Sequence, residues 1–547
     1  MEELVTCEGT VHSIIFQNAE NGYTVLRLLT EEGEVITVVG CIPCVAPGEH
    51  LAVSGVPETH PQHGEQLRAV ELERSLPEDE EEIFSYLSSG ICKGVGPATA
   101  RRIVERFGAE TLDVLEREPE RLTTLKGVTA RKAQEIAESF RQHMGLRRLM
   151  AFLAQYQLPP VLAMELRRQY GDAALEKVRE NPYLLSGEAC GVEFSVTDGI
   201  AMGMGLAADS DQRLQAAVTF ELSHNENNGH VFLPRNKLIS ATTQLLDSGA
   251  ELVEQALDSL IERGAVVQEQ VANVEACYLR RLWEAECSAC IRLAGLLAAD
   301  TDRSAQAGRA VDELEAQQGI TYAPLQRQAV ELAARTGVLV LTGGPGTGKT
   351  TTVRGIVALF RRMGLEIVLA APTGRAAKRM SELTGMEAQT VHRMLGMSWN
   401  DVTHQVTFQK TEKEPLEADA VIVDEMSMVD LALFSALLRA LRPGTRLVLV
   451  GDADQLPSVG AGNVFSDLIR SGRVETVFLR EVFRQAEQSA IIRNAHAVNL
   501  GQPPQLANNQ GDFFFLCRRD GERTLSTVVE LCKTRLPDHM GIPADQI

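Results

Sequence analysis

The chain has 547 residues, with 74 Asp and Glu against 53 Lys and Arg and a formal net charge of −21. That length exceeds what a single hydrophobic core serves, so several domains are expected. The acidic balance argues against non-specific adhesion to nucleic acid but leaves room for a local basic track. No apolar run approaches the ~20 residues of a membrane span, and the opening MEELVTCEGTVHS lacks the basic-then-apolar secretory pattern. The ten cysteines therefore read as reduced thiols of a cytoplasmic protein without membrane contact.

Residues 1–76 alternate apolar and polar positions in short runs (TCEGTVHSIIF, YTVLRLLT, EVITVVGCI, HLAVSGVPE, EQLRAVELE), separated by Gly, Pro and Asn. The pattern predicts a small all-β unit, a five-stranded barrel of the oligonucleotide-binding type. After the acidic linker PEDEEE the periodicity turns helical over 80–205. Gly94-Val95-Gly96 precedes an amphipathic helix, TLKGVTARKAQEIAESF repeats the pattern with Thr129 at the second glycine, and CGVEFSVTDGIAMGMG is a degenerate third copy. Such a turn between helices is the hairpin of helix-hairpin-helix modules, whose backbone N–H groups can hold a DNA phosphate; the alternative is a plain tight turn. Gly94 and Gly96, beside Arg101, Arg102 and Arg106, are candidate DNA contacts on the first of these readings.

Residues 206–300 mix helices with GHVFLP and the apolar helix VEQALDSLIERGAVV, a pattern that suits a winged-helix unit. Two Cys-x-x-Cys pairs occur, Cys41/Cys44 and Cys287/Cys290. Zinc takes four ligands in tetrahedral array; nothing Cys- or His-rich stands near either pair, and packed small side chains are the default expectation. From about residue 320 strands and helices alternate, which implies a parallel α/β sheet.

Val338 to Leu341 is a β-branched apolar run that leads into Gly343-Gly344-Pro345-Gly346-Thr347-Gly348-Lys349-Thr350, followed by Thr351. This is the G-x-x-x-x-G-K-[ST] phosphate loop. Its backbone must curl until the N–H groups face an anion, and a Cβ would collide with the phosphate. Lys349 supplies charge for the β- and γ-phosphates, Thr350 a hydroxyl for Mg²⁺, and the helix beyond adds its positive end. A nucleoside triphosphate, ATP with Mg²⁺, is the expected ligand.

Four further signals stand at strand ends, where α/β sheets place ligands. EIVLAA ends in Pro372-Thr373-Gly374-Arg375, AVIV in Asp424-Glu425, RLVLV in Gly451-Asp452-Ala453-Asp454-Gln455, and ETVFL leads to Val482-Phe483-Arg484-Gln485. Asp424 is placed to hold Mg²⁺ and Glu425 to orient or deprotonate the attacking water. Gln455 can hydrogen-bond the γ-phosphate, and Arg484 offers a bidentate phosphate grip.

Taken in order, PLQRQAV with Gln326, GGPGTGKTT, APTGRAAKRMSE, TVHRML, VDEMSMVD, GDADQLPSVGAGNVFSDL and VFRQAEQSAIIRNAH resemble superfamily 1 helicases of the RecD-like branch. The front half, with NPYLL, the repeated hairpins and GHVFLP, resembles the stand-alone bacterial members with an extended N-terminal region. The resemblance implies a multidomain α/β protein. Its RecA-like motor lobe would span 315–477 with a small hairpin at about 397–412, and a second lobe, holding Arg484 and a few strands, would start at 478–547. It implies Gln326 on the adenine, and Thr373, Gly374, Arg375 and His392 along a single-strand channel. Residues 399–408 (WNDVTHQVTF) would form a duplex-splitting pin or an ordinary β-hairpin.

The implied activity is ATP-driven 5′-to-3′ translocation by a monomer on single-stranded DNA and 5′-tailed duplex DNA. Glu193 and Thr197 stand in the third hairpin where the family prefers small residues. Two later family motifs, one of Ser/Thr-Gly-His-Lys-Ser-Gln-Gly type and one of Ala-Ile-Thr-Arg-Ala type, do not occur in the 547 residues, so a C-terminally truncated chain with impaired unwinding is expected. An ATP-switched DNA-structure-binding protein and a clamp-loader-like ATPase are the alternatives; Gly451-Asp452-x-x-Gln455 argues against the latter.

Overall fold

The computed structural model describes residues 4–18, 22–60, 64–299, 304–400, 405–481, 489–506 and 512–546. They fall into two compact units, one of Met1–Glu221, Arg235–Arg263 and Trp399–Thr407, the other of Leu222–Pro234, Gly264–Ser398 and Phe408–Ile547.

In the first unit, β1 (Val5–Gln17), β2 (Tyr23–Thr30), β3 (Val35–Cys41), β4 (His50–His60) and β5 (Gly64–Ser75) close into a barrel of order β1-β2-β3-β5-β4. Only β3 and β5 pair in parallel. The period-two alternation turns Val11, Leu26, Leu28, Val38, Leu51 and Val53 inward, and closure removes the free edges. Glu49, 0% exposed, takes Arg74 Nη2 at 2.8 Å and Arg147 Nη1 at 2.6 Å on Oε2. Arg147 lies on the long helix Ala130–Ala154, so this ion triad pins the barrel to that helix. Removing one partner of such a buried group costs about 3–5 kcal/mol.

The helical part of this unit begins at Glu80, where Asp79 caps Glu80–Ser88 by accepting from the N–H groups of Glu81 and Glu82 at 2.9 Å. Gly96 and Thr129 stand at the N-caps of Pro97–Phe107 and Ala130–Ala154, as the hairpin pattern predicts. Ile83, Leu87, Ile103, Leu115, Ile136 and Phe140 form the core beneath both hairpins. Residues 206–300 divide between the units: helices Arg235–Leu246 and Ala250–Glu262 belong to the first. The antiparallel sheet β6 (Phe232–Pro234), β7 (Val266–Val271) and β8 (Val274–Leu279), in order β6-β8-β7, belongs to the second.

The second unit is built on a six-stranded parallel sheet of β9 (Val338–Gly343), β10 (Ile367–Ala371), β11 (Ala388–Thr390), β14 (Ala420–Val423), β15 (Arg446–Gly451) and β16 (Glu475–Leu479). Their order is β11-β10-β14-β15-β9-β16, while β12 (Met397–Asn400) and β13 (Gln405–Phe408) pair separately as a two-stranded ribbon. Val338, Val340, Val421, Val423, Leu447 and Leu449 pack on one face with Phe434 and Leu437 of the helix Leu431–Ala440. Leu339, Leu341, Ile422, Val448 and Val450 pack on the other with Val330, Ile356 and Phe360. Burial on both faces is why these strands read as unbroken apolar runs rather than as alternation.

Beyond Leu479 the expectation of a few further strands is not met. The described residues there hold the helices Ala490–Asn499, Gly521–Glu530 and Leu536–Met540 and no strand, and ETVFL is the edge strand of the first sheet, paired with β9. Among the described residues no helix is long and apolar enough to cross a membrane.

Candidate active site

The phosphate loop leaves β9, which lies between β15 and β16, and enters the helix Lys349–Arg362. Gly346 and Gly348 hold φ of +78° and +82°, left-handed values that a side chain at either point would strain. Thr347, 3% exposed, donates from Oγ1 to the Gly344 carbonyl at 2.8 Å. Lys349 Nζ donates to the carbonyls of Gly343 and, at 3.3 Å, Gly344. Thr350 is half-buried at the first turn of the helix, Pro345 and Thr351 are exposed, and Gln326, 4% exposed, reaches the loop from the helix Pro324–Arg335.

At the same end of the sheet, β14 delivers Asp424 and Glu425. Asp424 Oδ1 accepts the Glu425 N–H at 2.9 Å. Glu425 itself has φ +52°, a left-handed backbone rare for a residue with a Cβ and costing of order 1–3 kcal/mol. Burial pushes the Asp424 carboxyl up, against the Glu425 N–H and the charges of Lys349 and Arg379, which pull it down. Burial and then the Asp424 charge push Glu425 up, opposed by Lys349 and Arg379 and joined by Asp452. Raised carboxyls beside fixed cations are a common active-site arrangement.

The loop after β15 closes the third side. Thr342, at the end of β9, accepts the Ala453 N–H on Oγ1 at 3.1 Å, and Asp452, 4% exposed, accepts the Asp454 N–H at 3.1 Å. Gly343, Gly344, Asp452, Gln455, Arg480 and His496 line one cavity of about 500 Å³. Of the expected site residues, the structure therefore gathers 343–350, Asp424, Glu425, Gln455 and Gln326 in one place. Arg484 lies outside the described residues. Sequence reasoning missed three: Arg379, set among the basic residues of one helix; Arg480, at the end of β16; and His496.

Thr373 caps the helix Gly374–Thr384 at the end of β10, accepting from Ala376 N–H at 3.2 Å, with Gly374 and Arg375 exposed at its first turn. His392 is half-buried on the short helix after β11. Gly94 and Gly96 are exposed but belong to the other compact unit. There, Arg102 donates to the Lys126 carbonyl, which ties the first hairpin to the second. Thr197 of the third is fully buried and donates to the Phe194 carbonyl at 3.0 Å.

Family profiles match four stretches. Residues 4–77 match "ATP-dependent DNA helicase YrrC, OB-fold domain" and 85–142 "SAM-like Helix-hairpin-helix tandem". Residues 142–232 match "ATP-dependent RecD2 DNA helicase HHH domain" and 326–461 "AAA domain". The chain is 33% identical over 514 residues to the ATP-dependent RecD2 DNA helicase of Deinococcus radiodurans, covering 91% of this chain and 70% of that protein. It is 40% identical over 215 residues to the RecBCD enzyme subunit RecD of Mycolicibacterium smegmatis, covering 35% of this chain and 37% of that subunit. Among solved structures, Pif1 helicase from Candida albicans aligns with a TM-score of 0.26 and 25% identity, over 34% of this chain and 46% of that one.

Proposed function

Since this chain belongs to the family of ATP-dependent RecD2 DNA helicases, we propose that it couples ATP hydrolysis to 5′-to-3′ movement along single-stranded DNA and opens 5′-tailed duplexes, as a monomer in the cytoplasm. The observation that carries this reading is the convergence of the phosphate loop, Asp424-Glu425 and the 452–455 loop at one end of the parallel sheet.

In this reading, backbone N–H groups of 343–351 hold the triphosphate and Lys349 moves from the loop carbonyls to its β- and γ-oxygens. Gln326 stands at the adenine side. Thr350 and Asp424 fit a hard cation: a hydroxyl and a carboxylate withdrawn from water, the latter bonded to a single backbone N–H. Mg²⁺ bound there would offset charge on the phosphate oxygens. Glu425, its carboxyl already raised, takes a proton from the attacking water, Gln455 contacts the γ-phosphate, and Arg484 steadies charge in the transition state. Thr373, Gly374, Arg375 and His392 line the strand path, the 399–408 hairpin meets the duplex, and the hairpin at Gly94 and Gly96 adds a phosphate contact.

The test is ATP-dependent strand separation on duplexes with a 5′ or a 3′ tail, with Lys349→Ala as control. Whatever separation the chain achieves is expected on the 5′-tailed substrate alone and should be lost in Lys349→Ala. Separation of only the 3′-tailed substrate would refute the direction, and ATP affinity unchanged in Lys349→Ala would refute the site.

A further inference from the structure

The helix Ala490–Asn499 brings to the phosphate loop a side chain, His496, that closes the VFRQAEQSAIIRNAH segment and has so far been given no role. Its first turn is fixed by Ser489, which accepts from Ile492 N–H at 3.2 Å, and by Asp512, which accepts from Ala490 N–H at 2.7 Å and Ile491 N–H at 3.2 Å. Further along, Asn494, 5% exposed, donates to the Gln505 carbonyl at 3.0 Å and accepts the Gln505 N–H at 2.8 Å. Held in this way, the helix directs His496 against Gly344. A Cβ on Gly344 would stand 3.0 Å from His496 Cε1 and 3.8 Å from each ring nitrogen, so the imidazole meets the loop with the edge that carries both nitrogens.

Gly344 is also where Lys349 sends its ammonium, at 3.3 Å from the carbonyl. The loop's phosphate-binding cation and the ring thus converge on one residue, in the cavity that Asp452 and Gln455 also line. Yet His496 Nε2 is buried and has no hydrogen-bond partner among the described residues. A buried polar nitrogen left unpaired costs roughly 1–3 kcal/mol, a cost that an oxyanion beside Gly344 would remove.

We infer that His496 Nε2 donates to an oxygen of the terminal phosphate of the bound nucleoside triphosphate, so that the site distinguishes triphosphate from diphosphate partly through this ring. The inference rests on the nucleotide reading above. Gln and Asn substitutions separate the two nitrogens, because a Gln amide reaches the Nε2 position whereas an Asn amide reaches only that of Nδ1.

The experiment is calorimetric titration of the full chain with Mg²⁺ and either a non-hydrolysable ATP analogue or ADP, for wild type and for His496→Ala, His496→Gln and His496→Asn. Loss of a hydrogen bond to a charged oxygen predicts an about tenfold or greater fall in analogue affinity for His496→Ala, with ADP affinity within about twofold. His496→Gln should recover most of the loss and His496→Asn little of it. Equal losses for both nucleotides, or no loss, would overturn the inference and leave nucleotide binding standing. Should His496→Ala not fold, equal analogue affinities in the Gln and Asn variants would overturn it. Failure of wild type to bind either nucleotide would instead sink the nucleotide reading itself.

Discussion

The side-chain amide of Gln326 donates to the Gly348 carbonyl at 3.3 Å while its oxygen accepts the Ala323 N–H at 3.1 Å. One buried side chain thus braces the start of the helix Pro324–Arg335 against the last residue of the phosphate loop before Lys349. Gln326→Ala takes the partner from the Ala323 N–H, while the Gly348 carbonyl keeps the Thr352 N–H and hydroxyl at 3.1 Å, and should cost about 1–3 kcal/mol. Thermal unfolding without nucleotide measures this, and an unchanged midpoint would show that the brace bears nothing.

Glu425→Gln keeps the size of the side chain and removes the base. DNA-stimulated ATP hydrolysis should fall by roughly 10²–10⁴-fold, with ATP affinity nearly kept. Near-normal turnover in a steady-state phosphate-release assay would exclude Glu425 from proton transfer.

Asp424→Asn should stabilise the nucleotide-free protein at neutral pH. Burial raises the Asp424 carboxyl above its unfolded value, so the native state disfavours the ionised form. That penalty is full above the folded pKa and vanishes as pH falls to the ordinary carboxylate range. The advantage of Asp424→Asn in denaturant midpoint should therefore shrink from pH 7.5 toward about pH 4. An advantage that grows on acidification would contradict the assignment.

His143 predicts the opposite trend in the first unit. Burial, with the charges of Arg74, Arg147 and Arg167, lowers its pKa to about 3. A depressed histidine contributes stability above its unfolded pKa of about 6.5 and loses it as pH falls toward the folded value. Wild type should weaken between these limits, and His143→Met should weaken less; parallel pH profiles of the two would argue against a buried neutral imidazole.

Arg101 and Arg102 should separate in their effects. The Arg101 guanidinium lies over the Phe84 ring at 4.4 Å, exposed at the hairpin, whereas Arg102 is spent on the Lys126 carbonyl. Arg101→Ala should weaken DNA retention in low-salt gel shifts and lower the salt slope by about one. Arg102→Ala should show first as a lower melting temperature. Full retention by Arg101→Ala would leave the hairpin a structural turn.

The parts legible in the sequence are those whose chemistry is local. Glycines, Lys349 and Thr350 are consecutive, and Asp424-Glu425 directly follows four apolar residues of a strand. Contacts set by strand order were hidden: nothing in the chain shows that Thr342 meets Ala453, or that His496 meets Gly344. Arg379 was indistinguishable from Arg375 and Lys378 because the phase of a helix relative to a neighbouring strand end is a tertiary property. The strands expected after Leu479 are absent among the described residues there, which form helices instead.

That insertion of β9 between β15 and β16 also sets a schedule for synthesis. β9 is the first strand of its sheet to leave the ribosome, and its two neighbours, starting at Arg446 and Glu475, are the last. Until Gly451 has emerged neither edge of β9 can acquire its ladder, and the edge that β16 covers must wait for Leu479. Pairing at such sequence separation is slow and leaves an apolar, β-branched segment open to wrong partners meanwhile. A nascent chain stalled before residue 446 therefore displays a bare β9, the kind of strand that holding chaperones bind, and the nucleotide loop is among the last features of the sheet to mature although it is among the first to be made.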